Sequence, residues 1–335
     1  MSGDWKEQSA LVVGFGSIGR RHTRVLRELG VKDIRLVEPL EERRRAAADE
    51  MAVTEAYNTL EEGLAGRPDT VFLCSPTADH VPQAMAALEA GCHVFTEKPL
   101  SVSTEGLDDL EDLARRTGRK VMVGQCYRFH AGCRRLKDWL DEGRLGRLLF
   151  VRSMFGEYIP DAMPDYRTRY VSKYSGAYEL MHAVDLAVWY AGTDPVQVLG
   201  LDRKVGEAEM ESPDLVEMIV EFDGSRAASV HMDFFQRARH IEVELYGTEG
   251  TARLEFGRWD RCAASLYEAS AGEWQTEEMA TDRDDMFRAE DSEFLKACAG
   301  EGDVSVPVSE GRKAVEVMLA ARESSRTGQA VHLQR

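Results

Sequence analysis

The sequence predicts an α/β fold in two parts. Residues 1–124 form a domain on a doubly wound parallel sheet, and residues 125–335 form an α+β domain with a mostly antiparallel, open sheet. Three observations predict it. At 335 residues the chain exceeds what one ordinary core encloses. From Ser9 to about Gly124, short apolar runs alternate with helical patterns, and parallel neighbours need a crossover of that length. From Val196 to about Tyr267, strands are separated by glycine-containing turns such as Asp223-Gly224 and Gly247-Thr248-Glu249-Gly250, with no helix pattern between them.

In the first part the expected strands are Ala10–Gly14, Ile34–Val37, Thr70–Cys74, His93–Thr96 and Lys120–Val123. The expected helices lie near Ile18–Leu29, Leu40–Glu50, His80–Ala90 and Thr104–Arg116. In the second part, a helix near Ala131–Glu142 places Cys133, Leu136 and Leu140 on one face. A strand over Leu148–Phe155 leads into a long polar loop, Gly156–Ser175, and then an apolar helix over Ala177–Tyr190. Two helices, about Asp285–Ala299 and Ser309–Thr327, close the chain.

Composition excludes several function classes. A formal net charge of −17 argues against a nucleic-acid surface, which needs clustered lysine and arginine. No run of about 18 apolar residues marks a membrane span. The start, Met1-Ser2-Gly3-Asp4-Trp5-Lys6, lacks the apolar core of a signal peptide, so the cytoplasm is the expected compartment. The six cysteines form no CxxC pair, and no metal site is expected.

The first strand runs directly into Gly14-Phe15-Gly16-Ser17-Ile18-Gly19, where a helix begins. The first glycine permits the tight turn, the second admits a pyrophosphate, and the third lets helix pack on strand, which is the Rossmann dinucleotide pattern. Glu38 ends the second strand, where a carboxylate meets a ribose diol and repels a 2′-phosphate. Arg43, Arg44 and Arg45 are read as the solvated face of a helix, so NAD is expected over NADP. Two further strand ends reach the same rim. One carries Ser75-Pro76-Thr77 with His80, the other Glu97-Lys98-Pro99. A partly desolvated lysine there is a proton donor or acceptor, although a Lys-Pro dipeptide by itself is only a turn. In the apolar helix, Glu179, His182 and Asp185 fall three apart as one polar stripe. Buried ionisable groups have to be paired or functional, so this stripe reads equally as a satisfied core or as a general acid/base site.

Together these residues resemble the glucose–fructose oxidoreductase, inositol dehydrogenase and MocA family (Gfo/Idh/MocA). The resemblance rests on Gly14 to His22, Ser75-Pro76-Thr77 with His80, and Glu97-Lys98-Pro99-Leu100. It continues in Val123-Gly124-Gln125 with Arg128-Phe129, Glu179 to Asp185, and the strands around Gln236-Arg237 and Gly247. It implies an NAD(P)-dependent dehydrogenase of sugars, inositols or their derivatives, with Lys98 and His182 flanking the reacting carbon. It also implies a cis Lys98-Pro99 bond and a homodimer or homotetramer joined through the open sheet face. Family members often carry Asp before the histidine, where this chain has Glu179. The segment Tyr158-Ile159-Pro160-Asp161 with Arg167, Arg169 and Tyr170 resembles the branch that handles acylated or nucleotide-linked amino sugars. Arg128, Arg169 and Tyr158 are the expected substrate binders, with surface salt bridges as the other reading of the two arginines. Closure of an interdomain cleft is expected to bring Lys98 and His182 to one hydroxyl. Two rival functions are a glycosidase using NAD for transient oxidation and elimination, and a non-catalytic NAD-binding regulator.

Overall fold

A computed structural model of the protein describes residues 5–51, 53–169 and 175–333. The chain divides into two compact units. The first takes the described residues up to Cys126 together with Asp284–Val315, and the second takes Tyr127–Arg283 and the segment from Glu316 onward. The chain thus returns to its first unit after building most of its second, which a single cut between residues 124 and 125 does not express.

Up to Gly124 the first unit alternates strand and helix. The elements are β1 (Ala10–Val13), α1 (Ser17–Leu29), β2 (Ile34–Val37), α2 (Glu41–Met51), β3 (Glu55–Tyr57), α3 (Leu60–Ala65), β4 (Thr70–Leu73), α4 (His80–Glu89), β5 (His93–Glu97), α5 (Leu107–Thr117) and β6 (Val121–Gly124). All six strands are parallel, in the order β3-β2-β1-β4-β5-β6. The order reverses between β1 and β4, and in such sheets ligands bind outside the carboxyl ends of the strands at that switch. β1 and β4 are buried along their whole length, as parallel strands covered on both faces must be. The expectations for this sheet hold, with β3 and α3 added.

The second unit contains α6 (Ala131–Asp141), β7 (Leu148–Tyr158), the short helices α7 (Ile159–Ala162) and α8 (Tyr166–Arg169), and α9 (His182–Ala191). The strands β8 (Pro195–Arg203), β9 (Leu215–Phe222), β10 (Arg226–Asp233), β11 (Phe235–Gly247), β12 (Gly250–Glu255), β13 (Arg261–Glu268) and β14 (Trp274–Ala280) follow. Helix α10 (Arg283–Cys298) returns the chain to the first unit, α11 (Val308–Thr327) crosses the boundary at Val315, and a last short strand, β15 (Val331–His332), lies in the second unit. The nine strands form one sheet, β14-β13-β12-β11-β7-β10-β9-β8-β15. Every pairing is antiparallel except β7 with β10.

Helices cover one face of this sheet, and its inward residues (Val151, Val230, Met218, Val243, Leu254 and Ala264) are buried. The opposite face is open and carries Leu199, Leu201 and Ile219 at 50%, 41% and 41% exposure. Between β10 and β11 the chain steps over the end of β7. Asp233 Oδ1 accepts from the Phe235 and Gln236 amides at 3.0 and 2.9 Å, and Gln236 Nε2 donates to Asp233 Oδ2 at 2.7 Å. A side chain on Gly156 of β7 would meet Gln236 and Asp233 at 2.2 and 2.6 Å, so only glycine allows the step at this spacing.

Two expectations for this unit change. The segment expected as one polar loop, 156–175, extends β7 to Tyr158 and then forms α7 and α8. The single apolar helix from Ala177 is instead a 3-10 turn, Gly176–Leu180, followed by α9 from His182.

Candidate active site

In the first unit the glycine loop leaves β1 at Gly14, whose φ of +93° is natural only to glycine. Each of its glycines is explained differently. A Cβ on Gly14 would lie 2.8 Å from the Cys74 carbonyl oxygen, and one on Gly19 would lie 2.0 Å from the Gly14 carbonyl oxygen. Both are demanded by the protein's own backbone. Gly16 has an ordinary φ of −73° and no protein atom within 4 Å of its missing Cβ. Neither packing nor backbone strain asks for glycine there. The space beside it, at the N-terminus of α1 and with no side chain capping that end, is the cradle a pyrophosphate requires. The loop fits a dinucleotide on that ground.

Glu38 follows β2 and is 3% exposed. Its Oε2 accepts from the Phe15 amide at 2.9 Å and its Oε1 from the Leu40 amide at 3.1 Å, so it fixes the glycine loop. Arg43 approaches the same carboxylate at 3.7 Å, and Arg44 donates to the Glu38 carbonyl at 2.6 Å. Among the rim residues after β4, Ser75 donates to Gln83 Oε1 at 2.6 Å, Pro76 is exposed, and Thr77 opens a short 3-10 turn. The buried ring of His80 ties two rim loops together, with Nδ1 2.9 Å from the Pro99 carbonyl and Nε2 3.0 Å from that of Ser75. Burial lowers its pKa. Its geometry is that of a brace between the β4 and β5 ends.

Glu97 ends β5 and Lys98 follows, half-buried, with the Lys98–Pro99 peptide cis. The Lys98 amide donates to Glu97 Oε2 at 3.0 Å, while Glu97 Oε1 lies 3.0 Å from His22 Nε2. His22 Nδ1 in turn faces both Asp291 oxygens, at 2.9 and 3.0 Å. Burial opposes a charge on His22, but the charge and hydrogen bond of Asp291, with those of Glu97, outweigh it and raise the imidazole to about 10. Burial likewise opposes a charge on Glu97, yet the His22 hydrogen bond and charge hold its carboxyl below the usual range. Neighbouring Glu290 is pushed well above that range, first by burial and then by the charges of Glu97 and Asp291.

In the second unit His182 is the first residue of α9 and is 9% exposed. The Tyr127 ring lies against it at 4.6 Å between centroids, and Arg239 donates to the Tyr127 hydroxyl at 3.1 Å. Sequence reasoning missed both residues. Tyr127 adjoins the quoted Arg128-Phe129, which was the available signal, whereas Arg239 had none. The expected stripe of Glu179, His182 and Asp185 is broken. Glu179 sits exposed in the 3-10 turn, while Asp185 is fully buried in α9.

Arg128 does not present a surface salt bridge. Its Nε and Nη2 donate to Asp185 at 2.9 and 2.7 Å, with the pair 2% and 0% exposed. Tyr158 lies under the Arg237 guanidinium at 3.8 Å. Arg169 ends α8, but its side chain and all of Tyr170 lie outside the described residues. Among the described residues no group of three or more His, Cys, Asp or Glu side chains is arranged to hold a metal ion, and no helix is long and apolar enough to cross a membrane.

Two family profiles match the chain in sequence. One, an oxidoreductase family with an NAD-binding Rossmann fold, covers residues 9–125, and the other, a GFO/IDH/MocA C-terminal domain, covers residues 133–253. The chain belongs to the GFO/IDH/MocA family. It is therefore an NAD(P)-dependent oxidoreductase of that family. Among its relatives, an inositol 2-dehydrogenase of Acidiphilium cryptum is 29% identical over 315 residues, 89% of this chain and 88% of the relative. A D-xylose 1-dehydrogenase (NADP(+)) of Haloferax volcanii is 28% identical over 296 residues, 88% and 89% of the two chains. The fold matches the crystal structure of a myo-inositol 2-dehydrogenase from Lactobacillus plantarum with a TM-score of 0.84 at 22% identity, covering 98% of this chain and 100% of that one.

Proposed function

We propose that this GFO/IDH/MocA protein is an NAD-dependent dehydrogenase that reversibly oxidises a secondary alcohol of a sugar, inositol or sugar derivative. The observation that carries the reading is Lys98 at the end of β5, on the same strand-end rim as the Gly14–Gly19 loop with its open Gly16 cradle. When bound, the nicotinamide supplies the hydride acceptor. Lys98 takes the hydroxyl proton, and His182 is the second group assigned to the same transfer. Glu179 or Asp185 is the carboxylate that orients the imidazole, and Arg128, by holding Asp185, belongs to that support if Asp185 is the one. Tyr158 and Arg169 remain the residues assigned to substrate. The relatives named for inositol and for D-xylose support a polyol or sugar as the substrate class.

NAD rather than NADP follows from Glu38. Its buried carboxylate keeps a second lone pair on each oxygen for ribose hydroxyls, and its charge repels a 2′-phosphate. The Haloferax relative bears NADP(+) in its name, so the comparison is informative. The test is a panel of inositols and sugars, including myo-inositol and D-xylose, with each cofactor, following released NADH or NADPH. We expect a higher kcat/KM with NAD, and a clear NADP preference would overturn the reading of Glu38. On the best substrate, Lys98→Ala and His182→Ala should each lower kcat by about 10²–10⁴-fold while still binding NAD. If one proton transfer uses both groups, the double variant is little worse than the worse single one. Near-normal turnover in Lys98→Ala sinks the mechanism.

A further inference from the structure

We propose that His22 is a positioning residue for Lys98, acting through Glu97 as a doubly hydrogen-bonded imidazolium clamped between Asp291 and Glu97. The inference rests on the catalytic reading of Lys98. Its geometry is a continuous chain of bonds inside the first unit, from Asp291 to His22, from His22 to Glu97 Oε1, and from Glu97 Oε2 to the Lys98 amide.

The protonation state follows from donors and acceptors. The His22 ring is fully buried, walled by Phe95, Phe287 and Phe72 at 5.1, 5.6 and 5.8 Å between centroids. Each of its nitrogens faces a carboxylate, Nδ1 that of Asp291 and Nε2 that of Glu97. Ionised carboxylates only accept, so both nitrogens have to donate, and an imidazole that donates twice is charged. Glu97 is in the complementary position. It lies between two donors, the His22 ring and the Lys98 amide, and a carboxylate is the side chain of that shape that accepts at both ends. A glutamine would turn its NH₂ toward one of them.

The titratable groups facing this chain are Asp291 and Glu290 from α10, Lys98 beyond β5, Cys74 at the end of β4, and His80 at the start of α4. Cys74 and Glu290 are driven toward their neutral forms and His80 is lowered, in each case first by burial; burial raises Asp291 as well, and the charge and hydrogen bond of His22 work against that rise. The buried positive charge opposite Glu97 and Asp291 is therefore His22. An anion as buried as Glu97 needs such a partner to stay ionised. Held at both oxygens, Glu97 fixes the main chain from which the Lys98 amine projects and places a negative charge beside it.

Two measurements on the full-length protein test this. Long-range ¹⁵N–¹H imidazole spectra, with the His22 signal identified by its loss in His22→Gln, should show both nitrogens protonated at and above neutral pH. A neutral-tautomer pattern at neutral pH overturns the clamp. In steady state, with whichever of myo-inositol or D-xylose turns over better, His22→Gln and Glu97→Gln should each lower kcat by up to about 10²-fold, the scale of an ångström-sized misplacement. NAD affinity should stay near that of the wild type.

Glu97→Gln should also move the lysine limb of the kcat/KM–pH profile to lower pH, because the ammonium loses its adjacent anion. A residue that matters only for folding would leave that limb in place. If Lys98→Ala is inactive while His22→Gln turns over normally, the inference fails and the catalytic reading stands. If Lys98→Ala is active, the catalytic reading fails, whatever the spectra show. Should His22→Gln not fold, the Glu97→Gln profile decides, and an unmoved limb overturns the inference.

Discussion

Alanine at Gly16 and at Gly19 should have opposite consequences, although the two glycines stand three residues apart in one loop. At Gly19 the new Cβ would sit 2.0 Å from the Gly14 carbonyl oxygen, where real contacts stay beyond about 3 Å, so the β1–α1 turn has to open by roughly an ångström. Forced overpacking of this kind costs about 1–3 kcal/mol or more. For a unit of this size each kcal/mol lowers Tm by about 2–4 °C, so a fall of several degrees is expected. At Gly16 the new methyl meets no protein atom, and φ is already ordinary. Only the weaker N-cap preference of alanine counts against it, at under ~1 kcal/mol.

The methyl of Gly16→Ala instead occupies the cradle. Each charge-assisted hydrogen bond to a pyrophosphate that is lost costs about 1.5–3 kcal/mol, or roughly 10–10²-fold in Kd. Thermal melts paired with NAD titration calorimetry check both variants. The reasoning is refuted if Gly16→Ala binds NAD as tightly as the wild type, or if it melts as early as Gly19→Ala.

Two further outcomes are expected. Arg128→Ala leaves Asp185 charged and buried without its bidentate partner, so the protein should lose about 3–5 kcal/mol, read as a lower denaturation midpoint in urea; a loss below ~1 kcal/mol would show that the pair is not a structural one. The exposed Leu199, Leu201 and Ile219 on the open sheet face should join a self-associated dimer or tetramer, so light scattering should give more than monomer mass at micromolar concentration, and Ile219→Glu should lower it; a monomeric wild type removes this expectation.

Much of the first unit was legible because its strands are buried on both faces and so read as unbroken apolar runs. β3 was not. It has only three residues, Glu55-Ala56-Tyr57, on the sheet edge, and none of them is buried. The helix after it had a usable signal in Thr59-Leu60-Glu61-Glu62. Thr59 caps the Glu62 amide at 3.3 Å, and the Glu62 side chain reaches back to the Asn58 amide at 2.9 Å. β14 escaped for the same reason as β3, since nearly every residue from Trp274 to Ala280 is exposed. The break before His182 was hidden because Gly176–Leu180 and α9 are equally apolar, and periodicity does not separate a 3-10 turn from the helix it precedes.

Within the site, residue types at strand ends were legible, but their partners were not. His22 and Asp291 are brought together from opposite ends of the chain, as Arg128 and Asp185 are from different helical elements. Nothing in local spacing encodes such pairs. The sequence placed Glu38 at the right strand end, yet only the structure shows that its carboxylate holds the glycine loop.

The single parallel pairing in the nine-stranded sheet bears on how that sheet assembles. β8, β9 and β10 form one hairpin-linked ribbon and β11 to β14 another, each closable from neighbours in the chain. β7 lies between the two ribbons and is paired with both, yet it comes from far earlier in the sequence. Closing that long loop is the entropically slow event, as it is for any non-local strand pairing. Until β7 is seated, the Asp233–Gln236 step between the ribbons has no strand to pass over. β7 therefore acts as the keystone of the sheet: the two ribbons can form separately, but they become one cooperative body only when this strand is in place.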